Sequence, residues 1–162
     1  MEAWEIVLNL ALATGLSALV GLDREIKHQD AGLRTHMLVG LGAAAFAIAG
    51  LELGQDPTRV AAQIVSGIGF LGAGTIFRAG DSVKGLTTAA GLWAVAGVGM
   101  AAGFGLYALA VTTTLLSVLI LFFLHPVRKK LERQADDVDL PGEADQDSEN
   151  GDSENGDSEN DT

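Results

Sequence analysis

The chain has no cysteine among its 162 residues, which excludes disulfide bridges, thiolate metal sites and cysteine nucleophiles. It also lacks a Walker A sequence, a Ser/His/Asp constellation and a His-Glu-x-x-His zinc motif. The three histidines, His28, His36 and His125, stand alone near predicted membrane interfaces, so we interpret each as an interfacial side chain. We therefore expect no enzymatic activity, no cofactor, no resident metal ion and no nucleic-acid partner.

A basic segment is missing from the amino terminus, which opens with Glu2 and Glu5. Cleaved secretory signals begin with positive charge and carry a shorter apolar run than the one that follows here. We therefore expect the first apolar stretch to be retained as a membrane span.

Long apolar stretches are abundant, and five of them fill the chain from Ile6 to His125. Each is about long enough to cross a bilayer. They predict an all-α polytopic membrane protein, folded as a compact bundle of five transmembrane helices. Asp56 and Pro57 form a helix-start signal before the third stretch, since a carboxylate caps well and proline suits the first helical position. The predicted spans are 6–22, 36–53, 60–77, 86–102 and 106–124, with a charged loop at 23–35 and a turn-forming loop at 78–82.

Lysine and arginine are distributed unevenly between the predicted loops. Nine of the ten fall in the loop after the first span, the loop after the third span and the segment after the fifth span, whereas Arg59 alone lies on the other side. The positive-inside rule then places the amino terminus outside and the carboxyl terminus in the cytoplasm. This pattern predicts a multi-pass protein of the cell (plasma or inner) membrane.

The carboxyl-terminal segment is acidic, with twelve acids and no base in residues 135–162. It ends in a repeated Asp-Ser-Glu-Asn pattern that has no apolar residue with which to build a core, so we expect a disordered tail. A solvated extension is the simplest interpretation, and a weak collector of divalent cations or an adaptation to high salt is the alternative. The predicted organisation is a five-helix transmembrane domain at 1–126, a basic juxtamembrane segment at 127–134 and the acidic tail at 135–162.

The third predicted span is rich in glycine. Residues 67–72 have the Gly-x-Gly-x-x-Gly spacing of the dinucleotide-binding fingerprint. However, no predicted strand precedes them and no acidic residue follows about twenty positions later. A helix surface that is nearly free of side chains lets a partner helix lie against its backbone. We interpret Gly67, Gly69, Gly72 and Gly74 as helix-packing residues, with a ligand site as the alternative.

Charged and hydroxyl side chains gather where the spans meet the predicted cytoplasmic side. Charges at the edge of the hydrocarbon either pair or extend toward water, and Arg24 and Arg34 are placed to bridge the nearby acids. We predict a polar mouth that closes the bundle and binds a cation or a partner protein; ordinary loop charge is the alternative. The candidate mouth residues are Asp23, Arg24, Glu25, Arg34, Thr35, Thr87 and Thr88.

A magnesium pathway would need oxygen ligands in near-octahedral geometry. No carboxylate lies at the middle of any predicted span, and the polar groups inside the spans are Asn9, Gln63 and a few hydroxyls. Transport would depend on those groups and on backbone carbonyls.

Several separate blocks of sequence stand out by their order and spacing: Gly21–Glu25, Ala31–Thr35, Arg59–Gln63, Gly67–Gly74, Val83–Ala90 and Leu92-Trp93. Together they resemble the membrane domain of the MgtC/SapB family over about 6–123. The resemblance implies a small five-helix membrane protein associated with growth under magnesium limitation. One branch of that family resembles a regulator of other membrane machinery, including the proton-driven ATP synthase.

The chain departs from the virulence-type members of that family. Those carry Asn where this chain has Thr87, Cys where it has Ala94, and a soluble carboxyl-terminal domain in place of the acidic tail. We therefore do not carry over the virulence function or its ATP-synthase partner. The expected function is a regulator of other membrane machinery linked to magnesium homeostasis, acting in the lipid bilayer on a membrane-protein partner of unknown identity. The alternatives are a transporter or channel for a divalent cation or other small solute, and a structural homo-oligomer.

Overall fold

The computed structural model describes residues 1–80 and 82–123, in which there are five α-helices and one two-stranded antiparallel sheet. The helical content confirms the predicted all-α class. His125 and the predicted segments 127–134 and 135–162 lie outside the described residues. The helices are α1 (Ala3–Ile26), α2 (Leu33–Glu52), α3 (Pro57–Gly74), α4 (Leu86–Gly103) and α5 (Tyr107–Phe123), and the strands are β1 (Phe77–Ala79) and β2 (Ser82–Lys84).

Helix α4 is the centre of the described fold, because it packs against each of the other four helices. Its residues are mostly glycine, alanine and valine, and ten of its eighteen positions are buried. Helices α1 and α2 complete the interior, whereas α3 buries only Ile68 and Gly72 and α5 buries only Ala110 and Thr114. The core is therefore built mainly from α1, α2 and α4, while α3 and α5 lie outside and contribute a few buried residues.

Glycine permits the closest helix contact, between α2 and α4. A Cβ on Gly99 would overlap the backbone of Gly40, and a Cβ on Gly103 would lie 2.7 Å from the carbonyl oxygen of Ala44. On its other side, a Cβ on Gly40 would overlap the Ser17 hydroxyl of α1. Small residues replace side-chain contacts with backbone contacts, which is a common way for helices to associate in membranes.

Helix α1 continues four residues beyond the predicted first span. The sequence predicts a loop from residue 23, but Asp23, Arg24 and Glu25 form the last turn of the helix. The extension has a physical reason: the Lys27 ammonium bonds to Asp23 one turn earlier, at 2.7 Å, and Arg24 is buried against α4. The loop after α1 is accordingly shorter than expected.

Helix α3 starts where the sequence predicts. Asp56 caps the helix by accepting hydrogen bonds from the Thr58 backbone N–H at 2.9 Å and the Thr58 hydroxyl at 2.7 Å, and Pro57 is the first helical residue. These bonds stabilise the carboxylate and lower the pKa of Asp56 below its ordinary value.

The predicted loop after the third span contains a short hairpin, in which Arg78 faces Val83 across the two strands. The hairpin leads into α4 through Gly85, whose φ of +88° is a left-handed conformation that favours glycine. A side chain there would also collide with the carbonyl of Thr75. The hairpin and the start of α4 are thus held close to the end of α3.

Among the described residues, three helices are long and apolar enough to cross a membrane, namely α1, α2 and α4; α5 is also apolar but shorter, with 17 residues. Helix α3 does not qualify, and it carries Arg59 and Gln63. Two contacts give the direction of α5: Tyr107 at its start bonds to Asn9 near the start of α1, and Leu121 near its end accepts a bond from Lys27. Helices α1 and α5 therefore run in the same direction.

Candidate functional site

The side chain of Arg24 occupies a buried position between α1 and α4. It is only 5% exposed, and its Nη2 donates hydrogen bonds to the Thr88 hydroxyl at 3.0 Å and to Gln29 Oε1 at 3.1 Å. Within the described part of the chain no carboxylate forms a salt bridge with it. A positive charge is therefore fixed inside the bundle by neutral oxygen acceptors.

The acids beside Arg24 are engaged elsewhere. Asp23 pairs with Lys27, whose ammonium also donates to the Leu121 carbonyl oxygen at 2.9 Å and so joins the ends of α1 and α5. Glu25 accepts the Leu33 backbone N–H at 2.9 Å and thereby satisfies an unpaired donor at the start of α2. These contacts fix the geometry of the turn between α1 and α2.

His36 lies deep in the same region and is fully buried, contrary to the interfacial position expected from the sequence. Its Nδ1 is 2.9 Å from the carbonyl oxygen of Gly32, which can only accept, so Nδ1 carries the hydrogen in this contact. A Cβ on Gly21 would lie 3.0 Å from the His36 Cβ, and one on Gly91 would lie 3.5 Å from its Nε2. Glycines on α1 and α4 therefore make the space for the imidazole.

A line of buried polar groups continues from this cluster along α1. Asn9, Ser17 and Arg24 are all buried, and their spacings of eight and seven residues place them on one helix face. At the far end Asn9 accepts a hydrogen bond from the Tyr107 hydroxyl at 2.8 Å. Several buried atoms of this line and its surroundings have no hydrogen-bond partner among the described residues: Asn9 Nδ2, Ser17 Oγ, Asp23 Oδ2, Arg24 Nε and His36 Nε2.

The structure brings together only part of the predicted mouth. Among the predicted mouth residues, Arg24 and Thr88 bond to each other, whereas Asp23 bonds to Lys27 and Glu25 to the Leu33 backbone N–H. Arg34, Thr35 and Thr87 are at least partly exposed, and the predicted bridge from Arg34 to the acids is absent from the ion pairs of the described residues. The reason is geometric, because residues 34 and 35 lie on the outward face of the first turn of α2, whereas His36 points inward.

The glycines of α3 are placed differently from those at the core crossings. Gly72 packs against α4, since a Cβ added to it would lie 3.7 Å from the Ala89 Cβ, an ordinary van der Waals distance. Around Gly67, Gly69 and Gly74 the described residues leave open space. The described chain thus supplies no helix against these three, and their role in helix packing stays a prediction about another molecule.

Sequence reasoning missed Gln29 and placed His36 at an interface, and it named Asn9 only as a polar group inside the first span. The helical spacing of Asn9, Ser17 and Arg24 was the available signal for a polar face on α1. No comparable signal marks His36, since only the packed fold shows that Gly21 and Gly91 make room for it. Among the described residues, no group of three or more His, Cys, Asp or Glu side chains is placed to hold a metal ion.

Comparisons with known proteins identify related chains. The model of the MgtC family matches residues 10–130. Protein MgtC of Brucella abortus (strain 2308) is 49% identical over 128 residues, covering 78% of this chain and 54% of the relative. Protein MgtC of Salmonella typhimurium (strain LT2) is 51% identical over 117 residues, covering 72% of this chain and 51% of the relative.

A further relative, the putative magnesium transporter YhiD of Escherichia coli (strain K12), is 37% identical over 137 residues, covering 78% of this chain and 64% of the relative. The chain therefore spans about half to two thirds of the length of these curated relatives. No solved structure matches it.

Proposed function

The chain belongs to the MgtC family, which makes it a magnesium-related membrane protein, and we propose that it regulates other machinery of the cell inner membrane. We propose further that it acts by binding a membrane-protein partner and catalyses no reaction itself. The apolar surfaces of its helices and the near absence of internal charge support a location in the bilayer.

For its arrangement in the membrane we propose five spans, with the amino terminus outside and the carboxyl terminus in the cytoplasm. The parallel directions of α1 and α5 support an odd number of crossings. The distribution of basic residues supports the orientation. Five of them lie in or beside the segments that join α1 to α2 and α3 to α4, namely Arg24, Lys27, Arg34, Arg78 and Lys84.

The observation that favours regulation over magnesium transport is the fixed cation at Arg24. Its guanidinium is buried at the junction of α1, α2 and α4 and is held there by Thr88 and Gln29. A positive charge that no neighbouring carboxylate pairs with repels a divalent cation, and the repulsion is strong where water is excluded. The polar mouth is thus better suited to hold the helices together than to pass Mg²⁺.

The surface proposed for partner binding is the outward face of α3. Phe70 is 83% exposed, and the neighbouring Gly69 has open space around it. A flat glycine surface beside a large aromatic side chain offers a partner helix close backbone contact and one anchoring residue.

The test is the substitution Gly69→Leu, with Gly15→Leu on the exposed face of α1 as the matched control. A Cβ at either position has no atom of the described residues within 4 Å, so we expect both variants to fold. We expect Gly69→Leu to lose co-purification with the membrane partner and to fail to restore growth of a deletion strain in low magnesium, while Gly15→Leu behaves as wild type. Full binding and growth with Gly69→Leu would remove α3 as the regulatory surface.

A transporter is the second candidate, and the buried polar line on α1 favours it. The line extends over most of the helix, from Asn9 to Arg24, and contains polar atoms that lack partners among the described residues. The name of the YhiD relative also points to this activity. Purified protein in liposomes would then show magnesium or proton flux that changes with Arg24→Gln, whereas a regulator would show none.

A further inference from the structure

A long groove separates α2 from α3 on the outer surface of the bundle. Its volume is about 980 Å³, at the upper end of the roughly 300–1,000 Å³ typical of ligand sites. Gly42 and Phe46 on α2 and Gly67 and Leu71 on α3 form its walls, and Ala96 of α4 contributes to its floor. Aliphatic and aromatic side chains make most of the groove apolar, and glycines on both helices leave room between them.

The polar groups of the groove are concentrated at the end where α2 finishes and α3 begins. Gln55, Arg59 and Gln63 line this end. Arg59 Nη2 donates to Gln55 Oε1 at 2.6 Å, and within the described chain no carboxylate forms an ion pair with Arg59. A guanidinium has five N–H donors, so most of its donor capacity is left for an anion.

These two properties together match a phospholipid. Arginine binds phosphate through paired, charge-assisted hydrogen bonds, and basic groups between membrane helices recognise lipid headgroups. The apolar part of the groove runs from Arg59 along α2 toward Thr35. Helix α2 has 20 residues, or roughly 30 Å of length, which leaves ample room for acyl chains beside the headgroup.

We propose that the groove between α2 and α3 is a binding site for one bilayer phospholipid, with its phosphate on Arg59 and its acyl chain between Gly42 and Gly67. The charged end and the apolar length of the groove then each contact the matching part of the lipid. This site does not depend on the regulatory function proposed above.

A second copy of the chain fits the groove less well, because it has few free acids to offer Arg59. The acids at the same end of the helices already have partners within the chain: Glu2 and Glu5 cap the start of α1, Glu52 pairs with the amino terminus and Asp56 caps α3. A lipid phosphate carries its negative charge without breaking any of these contacts.

The experiment measures phospholipid retained by the full chain after purification in detergent from membranes of defined composition. Native mass spectrometry and phosphorus analysis give the amount per chain. Two variants change different parts of the site. Arg59→Gln removes the positive charge. Gly42→Leu places a larger side chain in the groove, at a position where a Cβ has no atom of the described residues within 4 Å. The matched controls are Lys84→Gln, an exposed cation in the hairpin, and Gly15→Leu on α1.

We expect wild type and both controls to retain phospholipid, and each groove variant to retain at least fivefold less. A large excess of inorganic phosphate should not displace the lipid, because the apolar groove contributes to binding. Equal retention by wild type and Gly42→Leu would overturn the proposal, as would equal loss in all four variants. If the groove variants leave lipid unchanged and instead alter the oligomeric state in the same spectra, the occupant is a second copy and the lipid site is wrong.

Discussion

Arg24 combines a charge with nearly complete burial, and its surroundings satisfy part of the guanidinium, since Nη2 has acceptors whereas Nε has no partner among the described residues. Burying a charged group is costly unless its donors are satisfied, and two of its hydrogen bonds go to Thr88 and Gln29. Thr88 is itself buried, so the pair ties the last turn of α1 to the first turn of α4. His36 occupies the neighbouring position against the same two helices, in space left by Gly21 and Gly91. Single side chains thus set how these helices join.

Replacing Thr88 with valine should destabilise the protein by about 1–3 kcal/mol, because a buried charged donor loses its acceptor. Thr87→Val is the control, since Thr87 is exposed one residue away. A double-mutant cycle with Arg24→Met should give a coupling free energy of about 0.5–3 kcal/mol. The free energy of unfolding is measured by denaturation in mixed micelles. A Thr88→Val variant as stable as Thr87→Val would contradict this account of the cluster.

At the scale of elements, the helices differ in how their glycines are used. Gly40 and Gly99 let α2 and α4 touch backbone to backbone, which places α4 at the centre of the bundle. Helix α3 has as many glycines as α4 but leaves Gly67, Gly69 and Gly74 uncovered by the described residues. The same residue type therefore serves internal packing in one helix and creates an open surface and groove wall in another.

The substitution Gly99→Ala tests the central crossing. Its methyl group would overlap the Gly40 carbonyl oxygen, so α2 and α4 must separate, and overpacking of this kind costs about 1–3 kcal/mol or more. Gly97→Ala, two residues earlier on α4, meets no atom of the described residues and should be neutral or slightly stabilising. Thermal unfolding in detergent measures both. A Gly99→Ala protein with the melting temperature of Gly97→Ala would show that the helices are less closely packed than described.

At the scale of the whole molecule, α1, α2 and α4 form an interior with α3 and α5 outside it. The two outer helices present large apolar side chains such as Phe70, Leu115 and Phe122. An exposed apolar surface of this kind is stable in lipid, where no water penalises it. The five-span arrangement then follows if α3 and α5 also cross the bilayer, α3 with Arg59 held near the interface.

The proposed orientation predicts opposite accessibility for two engineered cysteines. The natural chain has none, so a single cysteine reports without interference. In intact cells a membrane-impermeant maleimide should label Glu2→Cys, near the proposed outer face, and should fail to label Ser82→Cys in the hairpin until the cells are opened. Labelling of both positions, or of Ser82→Cys alone, from outside would contradict the proposed topology.

Local signals in the sequence predicted several features that the structure has. Apolar runs predicted five helices near their observed positions, and Asp56-Pro57 predicted the start of α3. The mouth was predicted in part. Charged residues at the boundary of a span can be located in the sequence, whereas the side chains that they bond to in the fold cannot. Arg24 bonds to Thr88, 64 residues away, and the extra turn of α1 depends on contacts that no local pattern specifies.

The sequence by itself determined the class of the protein, because length and apolarity are sufficient to select membrane helices, and it determined the family through its ordered blocks. Only the tertiary structure decided which glycines are packed, that His36 is buried, and that a groove opens between α2 and α3. Those properties depend on distances between residues far apart in the chain, and a helix face carries the same residues whether a neighbour covers it or not.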